Sequence, residues 1–260
     1  MMELNKIYCG DNCDLLGKLP RECIDLVVTS PPYDDLRTYG GHTWDFYGVA
    51  WQLKRVLKPG GVIVWVVADA TKDGSETGTS MEQALHFKRL GLNLHDTMIY
   101  MKDGISFPDK NRYQNCFEYM FVFTKGTPTT VSLIQDRSNK SYGRVVTGTD
   151  RNANGETHKA SCFGQAIKEN GYRWNVWEIK ANKGNVVTGH PAMFPLQIAA
   201  DHIISWSNPG DLVLDPFTGS GTTCKAAKEL GRNFLGFEIN PEYCKIAERR
   251  IAQGVLDFAS

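Results

Sequence analysis

The sequence predicts an α/β protein, a mostly parallel sheet with helices on both faces, interrupted by one inserted segment. Three observations predict it. Short β-branched runs such as CIDLVVTS and VIVWVVA read as strands buried on both sides. Amphipathic stretches of helical length alternate with them. The strand LVLD at 212–215 opens directly into a glycine-rich loop and a helix, the connection that such sheets use at their carboxyl edge. The 260 residues are enough for one large domain with an insertion.

Taken in order, NKIYCGD is a short strand ending at Asp11, and CIDLVVTS is a buried strand bounded by Pro31 and Pro32. WDFYGVAWQLKRVLKPGG is a helix with Val49, Leu53, Val56 and Leu57 on one face, ended by Pro59-Gly60-Gly61. VIVWVVA is the next strand. TSMEQALHFKRLG is a helix with Ser80 or Thr79 as N-cap and Gly91 just past its end. LNLHDTMIYMK and FEYMFVFTKG are strands. From 127 to 185 Gly, Asn, Thr, Ser and basic residues dominate, and periodicity is lost. The expected division is 1–126, an inserted 127–185, and a second half of the main domain at 186–260. That last part holds a helix in HPAMFPLQIAADHIISWS, the strand LVLDPF, the helix SGTTCKAAKELG, the strand RNFLGFEI and the helix NPEYCKIAERRIAQG.

Composition excludes several classes. The longest apolar run, Val62 to Ala68, is too short to cross a bilayer. The start, MMELNKIYCGD, lacks a basic-then-apolar signal pattern, so a cytoplasmic protein is expected. Seven cysteines, with no C-x-x-C pair and no H-E-x-x-H, read as buried thiols in a reducing compartment, and no metal is expected. Net charge is zero, but 127–185 holds nine Lys/Arg against five Asp/Glu, leaving the rest of the chain negative by the same margin. A basic segment on an acidic body suggests a local polyanion contact, although solvated surface explains such runs as well.

LVLDPFTGSGTT at 212–223 carries the first chemistry. Gly219 and Gly221 let the backbone turn sharply and let a ligand approach it. Glu238 ends a strand 23 residues beyond Asp215, the spacing at which a carboxylate accepts from both hydroxyls of a ribose. An adenosine-containing cofactor follows. No G-x-x-x-x-G-K-[ST] and no full G-x-G-x-x-G is present, and an Asp at the strand tip repels a pyrophosphate. It attracts an ammonium, which points to S-adenosylmethionine. Asp215 also suits a helix N-terminus, and Glu238 also suits a helix cap near Pro241.

TSPPY at 29–33 together with DPFTGSGTT at 215–223 resembles the amino-group DNA methyltransferases, which methylate cytosine N4 or adenine N6. HPAMFPLQIA at 190–199, VLKPGG and FEYMFVFTKG also resemble family elements in their places, so the likeness spans nearly the whole chain. TSPPY preceding the glycine loop, with a variable segment between, resembles the β group, a circular permutation of the Rossmann-like methyltransferase sheet. The resemblance implies that 127–185 is the target-recognition region. It implies catalytic roles for Ser30, Pro31, Pro32 and Tyr33. It implies cofactor contacts by His190, Phe194, Asp215, Phe217, Gly219, Ser220, Gly221, Thr222 and Glu238. Asp11 is expected either near the adenine or in a plain turn. Arg37, Arg137, Lys140, Arg144, Arg151 and Lys159 are the expected DNA contacts. The implied partners are double-stranded DNA and a restriction endonuclease acting on the same site, with monomer and homodimer both open.

These residue types suit the chemistry. An aromatic exocyclic amine is a poor nucleophile because its lone pair is delocalised into the ring. Acceptors on its two N–H bonds favour a pyramidal nitrogen, and the Ser30 hydroxyl and Pro31 carbonyl are such acceptors. Consecutive prolines stiffen the loop. Tyr33 offers a face to a base swung out of the duplex, stacking being worth about 1–3 kcal/mol. None of the eleven prolines is followed by cysteine, which excludes the Pro-Cys nucleophile that ring-carbon methyltransferases share. Ser30 favours cytosine N4 within this resemblance, since adenine members usually carry Asp or Asn there. The alternatives are adenine N6, an RNA or protein substrate, and an inactive DNA-binding scaffold. Glu118 is a further candidate near the base pocket, with a surface ion pair as its plain explanation. Trp174 and Trp177 read as core or hinge packing. Asp34, Asp35, Gly40 and Gly41 suit a loop that closes on flipped DNA.

Overall fold

The structure is a computed structural model that describes residues 2–32, 44–104, 110–180 and 195–253. Strand β1 (Lys6–Cys9) leads to helix α1 (Asn12–Gly17), β2 (Ile24–Thr29), α2 (Phe46–Val56) and the long β3 (Leu57–Val67). A small ribbon of β4 (Thr71–Lys72) and β5 (Ser75–Glu76) precedes α3 (Thr79–Arg89), β6 (Asn93–Lys102) and β7 (Phe117–Thr124). Four short strands follow, β8 (Arg137–Ser138), β9 (Thr149–Arg151), β10 (Thr157–Lys159) and β11 (Asn170–Gly171), and then β12 (Val176–Ile179). The remaining elements are α4 (Leu196–Trp206), β13 (Leu212–Asp215), α5 (Thr222–Glu229), β14 (Asn233–Glu238) and α6 (Pro241–Ala252).

Eight strands form one sheet in the order β1-β14-β13-β2-β3-β7-β6-β12. Every pairing is parallel except the two that β7 makes with β3 and β6. The sheet is therefore mostly parallel, as its buried strands predict. Alternating residues feed two cores. Val27, Ile63 and Trp65 meet Leu16, Leu53 and Phe87 from α1, α2 and α3 on one face. Leu26, Val28 and Val64 meet Ile198, Ala199 and Ala226 from α4 and α5 on the other. Each fully buried Val, Leu, Ile or Phe among them contributes about 1.5–3 kcal/mol. Trp65 is buried completely, and its indole Nε1 donates to Gln83 Oε1 at 2.8 Å, satisfying the one polar atom it carries inside.

Several local expectations are corrected. Helix α2 stops at Val56, before the Pro59-Gly60-Gly61 that was to end it, and those residues enter β3 instead. Leu57 is buried and pairs with Ile24 across a register shift, while Gly60 adopts φ +78°, its amide donating to the Lys125 carbonyl and its carbonyl accepting from the Thr129 amide. Neither Ser80 nor Thr79 caps α3. Gly78 holds the left-handed N-cap position, and Asp69 reaches over from the end of β3 to accept from the Ser80 amide at 2.8 Å and from its hydroxyl. β1 ends at Cys9, so Asp11 lies beyond it.

Helix α1, strand β12 and the six short strands β4, β5 and β8–β11 were not predicted. α1 has six residues, too few to show periodicity, and its exit is completed at a distance. Arg55 donates from Nη2 to the Leu16 carbonyl and from Nη1 to that of Leu19, both at 2.8 Å. β12 lies inside the polar 127–185 segment, yet it pairs with β6 and buries Trp177 and Ile179 on alternate positions. The chain divides into two compact units, Met1–Ser132 with Asn175–Ser260, and Leu133–Trp174. The second unit is narrower than 127–185 because β12 is part of the main sheet. Among the described residues no helix is long and apolar enough to cross a membrane.

Candidate active site

β13 and β2 are neighbours in the sheet although most of the chain separates them. Their carboxyl ends meet in one bond: Thr29 Oγ1 donates to Asp215 Oδ1 at 2.7 Å. To one side of this pair the sheet continues through β14 and β1, and to the other through β3. That is the switch point at which a parallel sheet opens a crevice for ligands. Asp215 is buried, and loss of solvation pushes its carboxyl up to about 6; the bonds from Thr29 and from the Phe217 amide pull the other way, and the charge of Glu238 adds to the rise.

The loop after β13 is organised around that aspartate. The Phe217 amide donates to Asp215 Oδ1 at 3.1 Å, and the Thr218 hydroxyl to the Asp215 carbonyl at 2.9 Å. Gly221 has φ +83°, and a Cβ there would stand 2.9 Å from that of Ala247. Only glycine lets the loop and α6 approach this closely. Glu238, at the end of β14, accepts from the Gly219 amide at 2.9 Å and from the Asn240 amide at 2.9 Å. The cap of α6 is Asn240, whose side chain accepts from the Glu242 amide. Glu238 is therefore a clamp between two turns.

Sequence reasoning missed Arg250. It stands near the end of α6, and its Nη1 donates to the Ser220 carbonyl at 2.5 Å and the Ser220 hydroxyl at 2.6 Å, with Thr222 Oγ1 at 3.4 Å. Ser220 and Thr222 are buried beneath it. The only local signal was a basic residue on a helix, which is unremarkable until the fold brings it to the loop. Phe217 packs edge-on against Trp44, ring centroids 4.8 Å apart, and against Trp65 at 6.2 Å. Thus Phe217, Ser220 and Thr222 all have structural partners inside the site wall.

Ser30, Pro31 and Pro32 follow Thr29 at the same sheet edge, with Pro31 buried and the other two partly so. Tyr33, Arg37, His190 and Phe194, and the loop residues Asp34, Asp35, Gly40 and Gly41, lie outside the described residues. Asp11 is the N-cap of α1, its Oδ1 accepting from the amides of Cys13 at 2.8 Å and Asp14 at 3.1 Å. Glu118 forms an ion pair with Lys102 at 2.6 Å. In the second unit Arg137 lies over Trp174, and Lys159 over Phe163. Lys140, Arg144 and Arg151 are exposed.

Residues 24–249 match the sequence profile of a family described as DNA methylase, N6_N4_Mtase. The chain belongs to this DNA methylase family. The orphan methyltransferase M.BamHII of Bacillus amyloliquefaciens is 53% identical to it over 243 residues, covering 90% of each chain. The type II methyltransferase M.BglII of Bacillus subtilis is 31% identical over 252 residues, 94% of this chain and 68% of that one. The PvuII DNA methyltransferase, described as cytosine-N4-specific, shares the fold with a TM-score of 0.67 at 22% identity, over 96% of this chain and 87% of that one. The M1.HpyAVI–SAM complex does so with a TM-score of 0.62 at 22% identity, over 94% and 98%.

The DNA methylase is an amino-group DNA methyltransferase, and its cofactor is S-adenosylmethionine. The site fits that cofactor. A buried carboxylate at Asp215 suits an ammonium, a glycine loop with φ +50° at Gly219 and +83° at Gly221 leaves backbone room, and Glu238 suits a diol.

Proposed function

We propose that this DNA methyltransferase methylates the N4 amine of a cytosine swung out of the duplex, by direct attack of that amine. The observation that carries the proposal is the position of Ser30. It is the residue after Thr29, which is bonded to the cofactor-side Asp215, so a neutral hydroxyl stands at the junction of the two halves of the site. A serine accepts from the amine without placing a carboxylate beside the cytosine ring nitrogen.

In this reading the Ser30 hydroxyl and the Pro31 carbonyl accept the two N–H bonds of the amine and localise its lone pair. Pro31 and Pro32 fix the backbone that presents those acceptors. Tyr33 supplies the stacking face. Asp215 holds the ammonium of the bound cofactor and Glu238 its ribose, so positioning and electrostatics lower the barrier. When bound, S-adenosylmethionine supplies an electrophilic methyl group. The test is nucleoside mass spectrometry of DNA from cells expressing the protein. N4-methylcytosine is expected, and N6-methyladenine without methylated cytosine overturns the proposal. Transfer of labelled methyl groups to duplex DNA separates an active enzyme from an inert scaffold.

A further inference from the structure

The second unit, Leu133–Trp174, is one long antiparallel arm. Arg137–Ser138 pairs with Asn170–Gly171, Val145 bridges Ala166, and Thr149–Arg151 pairs with Thr157–Lys159. Backbone hydrogen bonds fill the intervals, Arg173 to Ile134, Asn139 to Glu169, Val146 to Gln165 and Ala160 to Gly148. The arm turns at Asn152–Glu156, where the Asn152 amide donates to the Glu156 carbonyl and Gly155 takes φ +89°.

No residue from 133 to 174 is buried. A two-stranded ribbon without a core is marginal in water. This one is ordered by its ladder, by Arg173 on Asp136, and by cations over aromatic faces. It leaves large apolar groups uncovered, Tyr142 at 66% exposure and Trp174 at 69%. Such a surface is built for cover by a partner. Its charge names the partner: seven Lys and Arg stand against four Asp and Glu. Of the seven, Arg137, Lys159 and Arg173 are engaged within the arm. The side chains of Lys140, Arg144, Arg151 and Lys168 have no ion pair or hydrogen bond among the described residues.

We propose that the arm divides DNA recognition along its length. The tip, Arg151–Thr157, enters the major groove and selects sequence, while Lys140, Arg144 and Lys168 of the stem hold phosphates. The major groove, about 12 Å wide, admits a two-stranded ribbon, and the minor groove, about 6 Å wide, does not. The tip concentrates the side chains that read base edges: Arg for guanine, Asn for adenine and Glu for cytosine. Arg151, Asn152, Asn154 and Glu156 are all exposed. Asn154 and Glu156 are joined by a 2.9 Å hydrogen bond that holds one amide and one carboxylate in fixed relation. The stem carries lone cations without such partners, the composition of backbone positioning rather than base readout. The inference rests on 127–185 being the DNA-contacting region and deepens that reading.

The test compares three forms of the full chain: wild type, a tip variant (Arg151→Ala with Asn152→Ala) and a stem variant (Lys140→Ala with Arg144→Ala). Each is assayed on duplexes carrying cognate and non-cognate sites, across a salt series. Thermal midpoint and S-adenosylmethionine affinity serve as folding controls, and both are expected to stay at wild-type values because the arm buries no side chain. The tip variant is expected to lose on the order of 10- to 100-fold of its preference for cognate over non-cognate DNA, and to methylate near-cognate sites. The stem variant is expected to weaken both duplexes equally, with the salt slope reduced by about one per cation removed. Unchanged sequence choice in the tip variant, or altered choice in the stem variant, overturns the proposal. Failure here is separable from failure of the N4 assignment, because one is read in which sequence is methylated and the other in which amine.

Discussion

Thr29 Oγ1 donates to Asp215 Oδ1 at 2.7 Å, a side-chain bond that links the carboxyl ends of two paired strands, the one that ends in Ser-Pro-Pro and the one that opens the cofactor loop. Both residues are buried. Thr29→Val keeps the shape and removes the donor from a buried carboxylate. The expected cost is about 1–3 kcal/mol of stability. Asp215 should also titrate higher than in wild type, since the Thr29 bond opposes the rise caused by burial. Urea unfolding at two pH values measures both effects. Unchanged stability together with an unchanged titration would mean that the bond is not formed in solution.

Asp215 sets a pH dependence. Its carboxyl titrates near 6 when folded, against an ordinary value of 3.8. The folded protein therefore holds a proton between about 4 and 6 that the unfolded chain has released. This group's contribution to stability grows as pH falls through that window and is constant above it. Cofactor affinity runs the opposite way. Holding an ammonium requires an ionised carboxyl and a protonated amine, so affinity should be greatest at about pH 7, fall roughly tenfold per unit below about 6, and decline again as the cofactor's own amine deprotonates at about 8. Isothermal titration with S-adenosylmethionine from pH 5 to 8 checks this, and Asp215→Asn should abolish the acid-side fall along with most of the binding.

Ser30→Ala separates chemistry from binding. The side chain that accepts from the target amine is removed, while Asp215 and the glycine loop are untouched. Turnover should fall by a factor on the order of 10²–10³, the usual effect of deleting one preorganised hydrogen-bonding group. Cofactor affinity should stay near wild type. Equal losses in both would identify Ser30 as structural.

What was legible in the sequence was local. LVLDPFTGSGTT announced a strand, a loop and a helix because apolar pattern, glycines and a terminal aspartate all lie within twelve residues. Glu238 was visible from its spacing and its place at a strand end. What the structure added joins distant positions. Thr29 and Asp215 are 186 residues apart, and Arg250 reaches back 30 residues to Ser220. No window of periodicity contains such pairs. The start of α3 was misplaced for the same reason, since its first-turn amide at Ser80 is satisfied by Asp69, 11 residues upstream. β12 was hidden by polar neighbours, and it is recognisable only through its parallel partner β6.

Gly221→Ala and Gly210→Ala form a matched pair. Both glycines have φ near +85°, at +83° and +88°. At Gly210 nothing lies within 4 Å of an added Cβ, whereas at Gly221 the Cβ meets the Ala247 Cβ at 2.9 Å and its Cα at 3.1 Å. Gly210→Ala should cost only the left-handed backbone penalty, about 1–2 kcal/mol. Gly221→Ala should cost more, because α6 must also move, and it should weaken cofactor binding. Thermal denaturation of the two variants isolates the difference, and equal losses would show that the contact with α6 is not tight.

Arg250→Met tests whether the last helix sets the shape of the cofactor loop. Arg250 is partly buried, and burial lowers the pKa of its guanidinium while Glu229 supports its charge. It is engaged with the Ser220 carbonyl, the Ser220 hydroxyl and Thr222 through one nitrogen. Methionine keeps the apolar stem and deletes those donors. Hydrogen bonds to a charged group contribute about 1.5–3 kcal/mol, so the dissociation constant for S-adenosylmethionine should rise roughly tenfold or more. Arg250 lies on no reacting atom, so kcat at saturating cofactor should stay within about twofold of wild type. Arg250→Lys retains one donor on a long stem and should fall between the two. A drop in kcat without loss of cofactor affinity would falsify the positioning role, because a loop held in the wrong shape must first bind its ligand badly.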